Sequence, residues 1–360
     1  MINAIEFLKE LLEIPSPSGS EGEVALFLSK RLDKWGYHVE VDRAGNVVAQ
    51  LGEGEPVLLL ASHLDTVPGH FPVREEGGKI FGRGAVDAKA SVAAMAIAGV
   101  EAARSEIRGK IVFAGIVEEE TSLRGIQTLL EELPSINYAI FGEPTGKSRV
   151  CLASKGRLLL KIDVRATDSG HVACSWRYKN AIEEAFNLWT LLKKELSKMG
   201  GSYFSSTIPN LTIFQGGNAP NITPEQCSFY VDVRFPPGMN SAQLLKVSDD
   251  VIEAFRKSSG LKVDYNILSQ IEGFRTSKQT VLVEALVRAI KEELGEEAKF
   301  IKKTGTCFMN LIGKHFNVPV VCYGPGDPAL EHSQEESIDA EEYLAAIRVL
   351  TRTICYVLSN

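Results

Sequence analysis

Four short apolar runs, each bounded by turn residues and separated by helix-like segments, limit what this chain can fold into. They are residues 56–62, 110–117 (KIVFAGIV), 137–142 and 318–323. A strand that is apolar at successive positions must be covered on both faces. Alternation of such strands with helices indicates a mostly parallel sheet between helical layers. The helix-like segments are amphipathic 2–13, closed by Pro15 and Pro17, then 21–35, Ala-rich 88–104, 122–132, 279–294 and 340–357. Short strands are expected at 37–42 and 46–50, around an Ala-Gly-Asn turn, and at 299–302, with a short helix ending near Gly313.

Between residues 156 and 267 the pattern changes. LLLKIDVRAT is strand-like, TIPNLTIFQGG and CSFYVDVRF alternate as half-buried strands do, and helices are expected at 179–198 and 241–258. This β-α-β-β-α-β order predicts a two-layer α+β domain inserted into the first. The predicted boundaries are 1–155 and 268–360 for the α/β domain and 156–267 for the insertion.

The strand at 56–62 runs into SHLDTVPG, Ser62 to Gly69. Two residues apart on a strand, His63 and Asp65 would share one face at its C-terminal end. That is where ligands bind in open α/β sheets. A helix cap or turn is the alternative for these eight residues taken alone. Four further places repeat the feature: Asp87 in GRGAVDAKAS, Glu118-Glu119-Glu120 after the strand at 110–117, Glu143 after the next strand, and His332 in YGPGDPALEHSQ. Lone acids at strand ends are commonly caps, GEP serves as a turn, and a Glu run as a solvated face. Five such placements on one sheet edge instead describe two imidazoles and several carboxylates, the donor set of hydrolytic two-metal sites. His38, His70 and His315 fit no such pattern.

Composition excludes several functions. The net charge is −7, with no basic stripe, which disfavours nucleic acid. No apolar run approaches the ~20 residues of a membrane-spanning helix. The first twenty residues carry charges at helical spacing, unlike a signal peptide. The six cysteines (151, 174, 227, 307, 322, 355) include no CxxC pair and imply neither disulfides nor a thiolate zinc site. A cytoplasmic enzyme is the expectation.

SHLDTVPG…GRGAVDAKAS, EEETSLRG, GEPTG and YGPG…LEHS together resemble the zinc-dependent metallopeptidase and aminoacylase superfamily, which includes acetylornithine deacetylase, succinyl-diaminopimelate desuccinylase and glutamate carboxypeptidase. The resemblance spans essentially the whole chain, and the HLD and GRG-x-x-DAK spacing is specific. Within that group, IFGRGAVDAKA with GPGDPALEHS resembles hydrolases that release lysine or ornithine from the C-terminal glutamate of an amino-group carrier protein. The resemblance implies two Zn2+ per chain, with Co2+ or Mn2+ as substitutes. It makes His63 and Glu143 terminal ligands of one ion, Glu120 and His332 terminal ligands of the other, and Asp87 the bridge. Asp65 would orient His63. The family pattern of Asp-Glu-Glu, four residues and Gly places the general base at Glu119. A one-residue slip would make base and ligand Glu118 and Glu119.

The same resemblance has His171, in DSGHVACSWRYKNAIE of the inserted domain, reach across a homodimer to stabilise the oxyanion. Otherwise it is a surface loop histidine. Asn221 (NAPNITP) and Arg234 (YVDVRF) match substrate-facing positions, Arg234 suiting a carboxylate or else pairing with Asp232. Gly305-Thr306 (KTGTCFMN) matches a loop of the catalytic domain that meets the substrate's α-carboxylate. Relatives commonly carry Asp after that stretch, and this chain has Cys307-Phe308. The expected partner is a small acidic carrier protein bearing lysine or ornithine, with no nucleic acid and no membrane. The alternatives are deacylation of N-acetylornithine or N-acetyllysine, dipeptide hydrolysis, and a non-catalytic metal-binding role, against which the intact Glu119 argues.

Overall fold

A computed structural model describes residues 2–105, 107–201 and 203–359. The chain divides into two compact units. The first comprises Met1–Leu152, Arg275–Ile301 and Leu311–Asn360, and the second Ala153–Phe274 with Lys302–Asn310.

The first unit is built on a mixed α/β sheet. Val57–His63 is central, buried at every residue, and runs parallel to Lys110–Ile116 on one side and Tyr138–Gly142 on the other. Val320–Cys322 extends the parallel set beyond Tyr138–Gly142. Antiparallel strands flank it, His38–Val41 and Val47–Gly52 at one end, and Arg149–Ser154 at the other. Burial on both faces explains why the central strands lack polar alternation.

Lys89–Ala103 buries thirteen of its fifteen residues, so it lies inside the fold rather than on it. Its Ala and Gly residues permit that closeness. The Tyr37 hydroxyl donates to the Ala96 carbonyl, and a Cβ on Gly99 would stand 2.1 Å from Tyr37 Oη. Ala340–Leu358, the last helix, contributes Ala346, Leu350 and Ile354 to the same core. The parallel strands direct their C-terminal ends to one edge, where His63 ends one strand and Glu118 to Glu120, Glu143 and His332 come after others, whereas Asp87 lies between Lys79–Phe81 and the helix Lys89–Ala103 and follows none of them.

One small sheet has no counterpart in the sequence reading. Arg74–Glu76 and Lys79–Phe81 form a hairpin joined by Ser337–Asp339. Arg74–Glu76 is exposed throughout, so no apolar period marks it. Arg149–Ser154 also went unread, lying between the turn at GEPTG and the expected start of the insertion.

The second unit is a two-layer α+β structure. Its antiparallel sheet runs Ile208–Gly216, Gln226–Phe235, Gly156–Arg165, Lys262–Ile271. Gly156–Arg165 alternates between buried and half-buried positions up to the exposed Arg165. Its buried face, Leu158, Leu160, Ile162 and Val164, packs with Leu188 and Leu192 of Ala181–Leu196 and with Ile252 and Phe255 of Ser241–Ser259. The unit also takes in Lys302–Asn310, which the sequence reading assigned to the α/β domain. Side chains tie that loop in place. Thr306 Oγ1 and Asn310 Nδ2 donate to the Lys155 carbonyl, and Ser154 Oγ donates to the Gly305 carbonyl. No helix among the described residues is long and apolar enough to cross a membrane.

Candidate metal centre

His63 is the last residue of its strand and is 1% exposed. Its Nε2 lies 3.0 Å from Asp87 Oδ1, and its Nδ1 lies 2.9 Å from the Asp65 carbonyl oxygen. A Nδ1–H donated to that carbonyl leaves Nε2 as the free ligand atom. The other oxygen of Asp87, Oδ2, lies 3.1 Å from His332 Nε2, which is itself 2.9 Å from Glu120 Oε1. Ligand atoms of Asp87, Glu120 and His332 fall within 4.8 Å of one another. Asp87 thus offers one oxygen toward each histidine. Imidazole nitrogen and carboxylate oxygen without thiolate suit zinc or a similar borderline ion, so the donor chemistry fits a metal pair.

Glu119 and Glu143 lie near enough for the charge of one to act on the other. Glu143 follows Tyr138–Gly142 and is 7% exposed. Burial pushes the Glu119 carboxyl up to about 8, with His63 opposing and Glu143, Glu120 and Asp87 adding to the rise. Glu120 is raised for the same first reason, burial, against the pull of both histidines. His332, half exposed, is pushed up to about 9 by its hydrogen bond to Asp87 and by the charge of Glu120, burial working the other way. Burial also opposes the charged form of His63, but Asp65 and Asp87 outweigh it and raise the ring well above the usual value.

Glu118 belongs to a different set. Its carboxylate accepts from Ser122 Oγ at 2.6 Å and from Arg124 Nε at 2.9 Å, and its backbone is left-handed, with φ 58°. His332 is left-handed too, with φ 60°. Such conformations cost a non-glycine residue about 1–2 kcal/mol and concentrate at functional sites.

Asp65 lies beyond the strand, which ends at His63, so the shared-face argument does not describe it. Its carboxylate, fully buried, accepts the backbone N–H groups of Glu119 at 2.9 Å and Glu120 at 3.0 Å, and the Ser18 hydroxyl at 2.7 Å. His63 Nδ1 is 3.4 Å from Asp65 Oδ1, farther than from the Asp65 carbonyl. Glu336 was not found by sequence. Its Oε1 accepts from the backbone of Val86 and Asp87 at 2.9 Å each, and its Oε2 from Arg83 at 2.8 Å. Nothing in the local string QEES distinguishes it from a solvated glutamate.

The remaining predicted residues lie in the second unit. His171 is exposed, and its Nδ1 accepts the Ala173 N–H at 3.1 Å. A bridge between His171 and Ile222, and a bond from Val172 N–H to the Asn221 carbonyl, set His171 beside Asn221. Arg234 donates to Asp232 at 2.6 Å and to Thr306 Oγ1 at 3.2 Å, and Asp232 also holds Arg157 at 2.8 Å. The pairing with Asp232 is therefore present. Gly305 is exposed beside Thr306, whereas Cys307 and Phe308 are buried, which suits the apolar residues found there.

Comparison with known proteins supplies the family. Residues 59–356 match Peptidase family M20/M25/M40. A [LysW]-lysine hydrolase of Deinococcus radiodurans is 32% identical over 361 residues, covering 98% of this chain and 96% of that protein. A [LysW]-lysine/[LysW]-ornithine hydrolase of Sulfurisphaera tokodaii is 32% identical, covering 97% and 94%. Among solved structures, a tripeptidase of Staphylococcus aureus superposes with a TM-score of 0.84 at 22% identity over 99% of this chain and 98% of its own. An M20 family metallo-carboxypeptidase of Sulfolobus solfataricus does so with 0.82 at 18% identity over the full length of both. These likenesses speak to the fold, an α/β catalytic domain with an inserted α+β domain. The sequence match speaks to descent and class: this chain is a metal-dependent amide hydrolase and belongs to Peptidase family M20/M25/M40.

Proposed function

We propose that the chain is a di-zinc hydrolase that releases lysine or ornithine from the C-terminal glutamate of a small acidic amino-group carrier protein, in lysine and arginine biosynthesis. The relatives' names support the substrate. The observation that carries the metal pair is Asp87, whose two oxygens face different histidines at 3.0 and 3.1 Å. His63 and Glu143 would hold one ion, Glu120 and His332 the other, and Asp87 would bridge them. When bound, the pair supplies an acidified water and positive charge at the amide carbonyl.

The protein's own part is proton movement and orientation. Glu119, half-buried and next in the chain to Glu120, takes the proton from the attacking water as the O–C bond forms. It then delivers that proton to the amide nitrogen as the C–N bond breaks. The engagement of Glu118 with Ser122 and Arg124 supports the register in which Glu119 is the base. Asp65 fixes the backbone of Glu119 and Glu120 as well as facing His63. We assign His171, from a partner chain, to stabilisation of the oxyanion, and Asn221, Arg234, Gly305 and Thr306 to the substrate. Arg234 is pre-oriented by Asp232, which supports binding of a carboxylate.

A homodimer through the second unit is supported by its exposed apolar side chains, Phe186 and Leu191 on one helix and Ile213 on the edge strand Ile208–Gly216. No disulfide joins the cysteines of the described residues, which supports a reducing, cytoplasmic setting.

Purified protein loaded with zinc should release free lysine or ornithine from carrier conjugates and leave N-acetylornithine and simple dipeptides nearly untouched. The reverse preference would replace the substrate while leaving the hydrolase in place.

A further inference from the structure

Three consecutive backbone N–H groups, those of Glu118, Glu119 and Glu120, all donate to carboxylates. Glu118 donates to Glu21 Oε1 at 2.9 Å, Glu119 to Asp65 Oδ1 at 2.9 Å, and Glu120 to Asp65 Oδ2 at 3.0 Å. Asp65 belongs to the histidine turn, but Glu21 comes from the N-terminal loop SPSGSE, roughly a hundred residues before the strand it serves. The same loop reaches Asp65 as well, through the Ser18 hydroxyl at 2.7 Å. It is stitched alongside the histidine turn by Ser16 Oγ to the Leu64 carbonyl at 2.7 Å and by Thr66 N–H to the Ser16 carbonyl at 2.9 Å.

Glu21 stands at the N-cap position of the helix Gly22–Lys34, yet its side chain makes no capping hydrogen bond. Acidic N-caps ordinarily turn their carboxylate to the first free N–H groups of their own helix. Here Oε1 instead accepts from Gly19 N–H at 3.0 Å and from Glu118 N–H, and the residue is 4% exposed. What it holds is a left-handed glutamate, φ 58°, immediately before Glu119. A non-glycine backbone stays there only where its surroundings enforce it. Ser122 and Arg124 restrain the Glu118 side chain, and Glu21 restrains its backbone. A change at Glu118 would rotate the peptide that aims Glu119.

We infer that the Ser16–Glu21 loop is the mount of the catalytic base, with Glu21 and Ser18 as positioning residues. This rests on Glu119 being the base. Carboxylate acceptors are suited to the task, because charge-assisted bonds to backbone N–H are short and directional.

The test compares Glu21→Gln, Glu21→Asp and Glu21→Ala in full-length, metal-loaded protein, with Glu119→Gln alongside. Gln keeps an acceptor oxygen at the same reach and should stay near the parent. Asp keeps the charge and is a good N-cap but is one methylene too short for the Glu118 amide. Asp and Ala should both lower kcat about 10- to 100-fold, with KM changed by less than about twofold and both metals retained. In metal-free protein, hydrogen exchange should quicken in peptides covering 117–121 and stay unchanged in peptides covering 57–62. An Asp variant as active as the parent would overturn the inference, since the reach of the Glu21 carboxylate to the Glu118 amide would then not matter. So would unchanged exchange at 117–121, or a general rise in exchange across the first unit. Should Glu119→Gln keep full turnover, the base assignment fails, while exchange at 117–121 still decides what Glu21 holds.

Discussion

Stripping the metals and adding them back should expel protons, and the structure says how many. Without metal, His332 is pushed up to about 9, first by its hydrogen bond to Asp87, and Glu119 up to about 8 by burial. His63 is raised as well, since Asp65 and Asp87 outweigh its burial. At pH 7 a group of pKa 9 is about 99% protonated and one of pKa 8 about 90%. Only a neutral imidazole can ligate. Loading ions at pH 7 should therefore release about one proton from His332, a further contribution from His63, and up to about one more as the metal charge draws Glu119 down. Titration calorimetry in buffers of different ionisation enthalpy measures this directly. Release should decline above pH 9, where His332 has already lost its proton.

The sign for stability follows from the same groups. The folded metal-free chain binds more protons than the unfolded chain between the ordinary values, 4.5 for a glutamate and 6.5 for a histidine, and the raised values of about 8 for Glu119 and 9 for His332. The stability these groups contribute is then fully present below 4.5, falls as pH rises from there, and is gone once pH passes about 9. The melting temperature of metal-free protein should fall across that window, and that of loaded protein should not. Release of fewer than about one proton per chain at pH 7 would refute the reasoning, because the histidines would already be neutral without metal.

Other consequences can be checked separately. Glu336→Ala should destabilise metal-free protein by about 3–5 kcal/mol in denaturant titration, because it leaves the buried Arg83 guanidinium unpaired. Glu336→Gln, which keeps an acceptor for the Val86 and Asp87 N–H groups, should cost less. Gly99→Ala should cost about 1–3 kcal/mol by overpacking against Tyr37 Oη, and less in a Tyr37→Phe background, as a thermal double-mutant cycle would show. Glu119→Gln should lower kcat by about 10²–10⁴, and His171→Ala by about 10²–10³. Mixing these two inactive proteins should restore activity at one site per heterodimer. No recovery despite subunit exchange proven by mass would place His171 outside the partner's site.

Much of this protein is local in its sequence. The unbroken apolar runs at 57–61 and 111–116 demanded burial on both faces, and the alternation of CSFYVDVRF demanded a sheet with one face covered. Hydrophobic period is set by neighbouring residues, so it survives without the fold. The strand-end placement of His63, Glu119 and Glu143 is local in the same way. Partners far along the chain are not. Glu336 meets Asp87 across 249 residues and Glu21 meets Glu118 across 97, and no pattern near either glutamate separates it from a surface carboxylate. Residue spacing also left open which of three adjacent glutamates enters the cluster. In the folded chain a left-handed turn at Glu118 sends its carboxylate to Ser122 and Arg124 and leaves Glu119 half-buried, within reach of the charges of Glu143 and Asp87. Asp65 reads as a neighbour of His63 on one strand. The strand stops at His63, and the turn that follows delivers the Asp65 carboxylate to the amides of Glu119 and Glu120. Sequence determined which residues arrive at the sheet edge, because period and strand ends are short-range. Tertiary structure decided which way each one points, because backbone direction there is held by hydrogen bonds from loops remote in the chain.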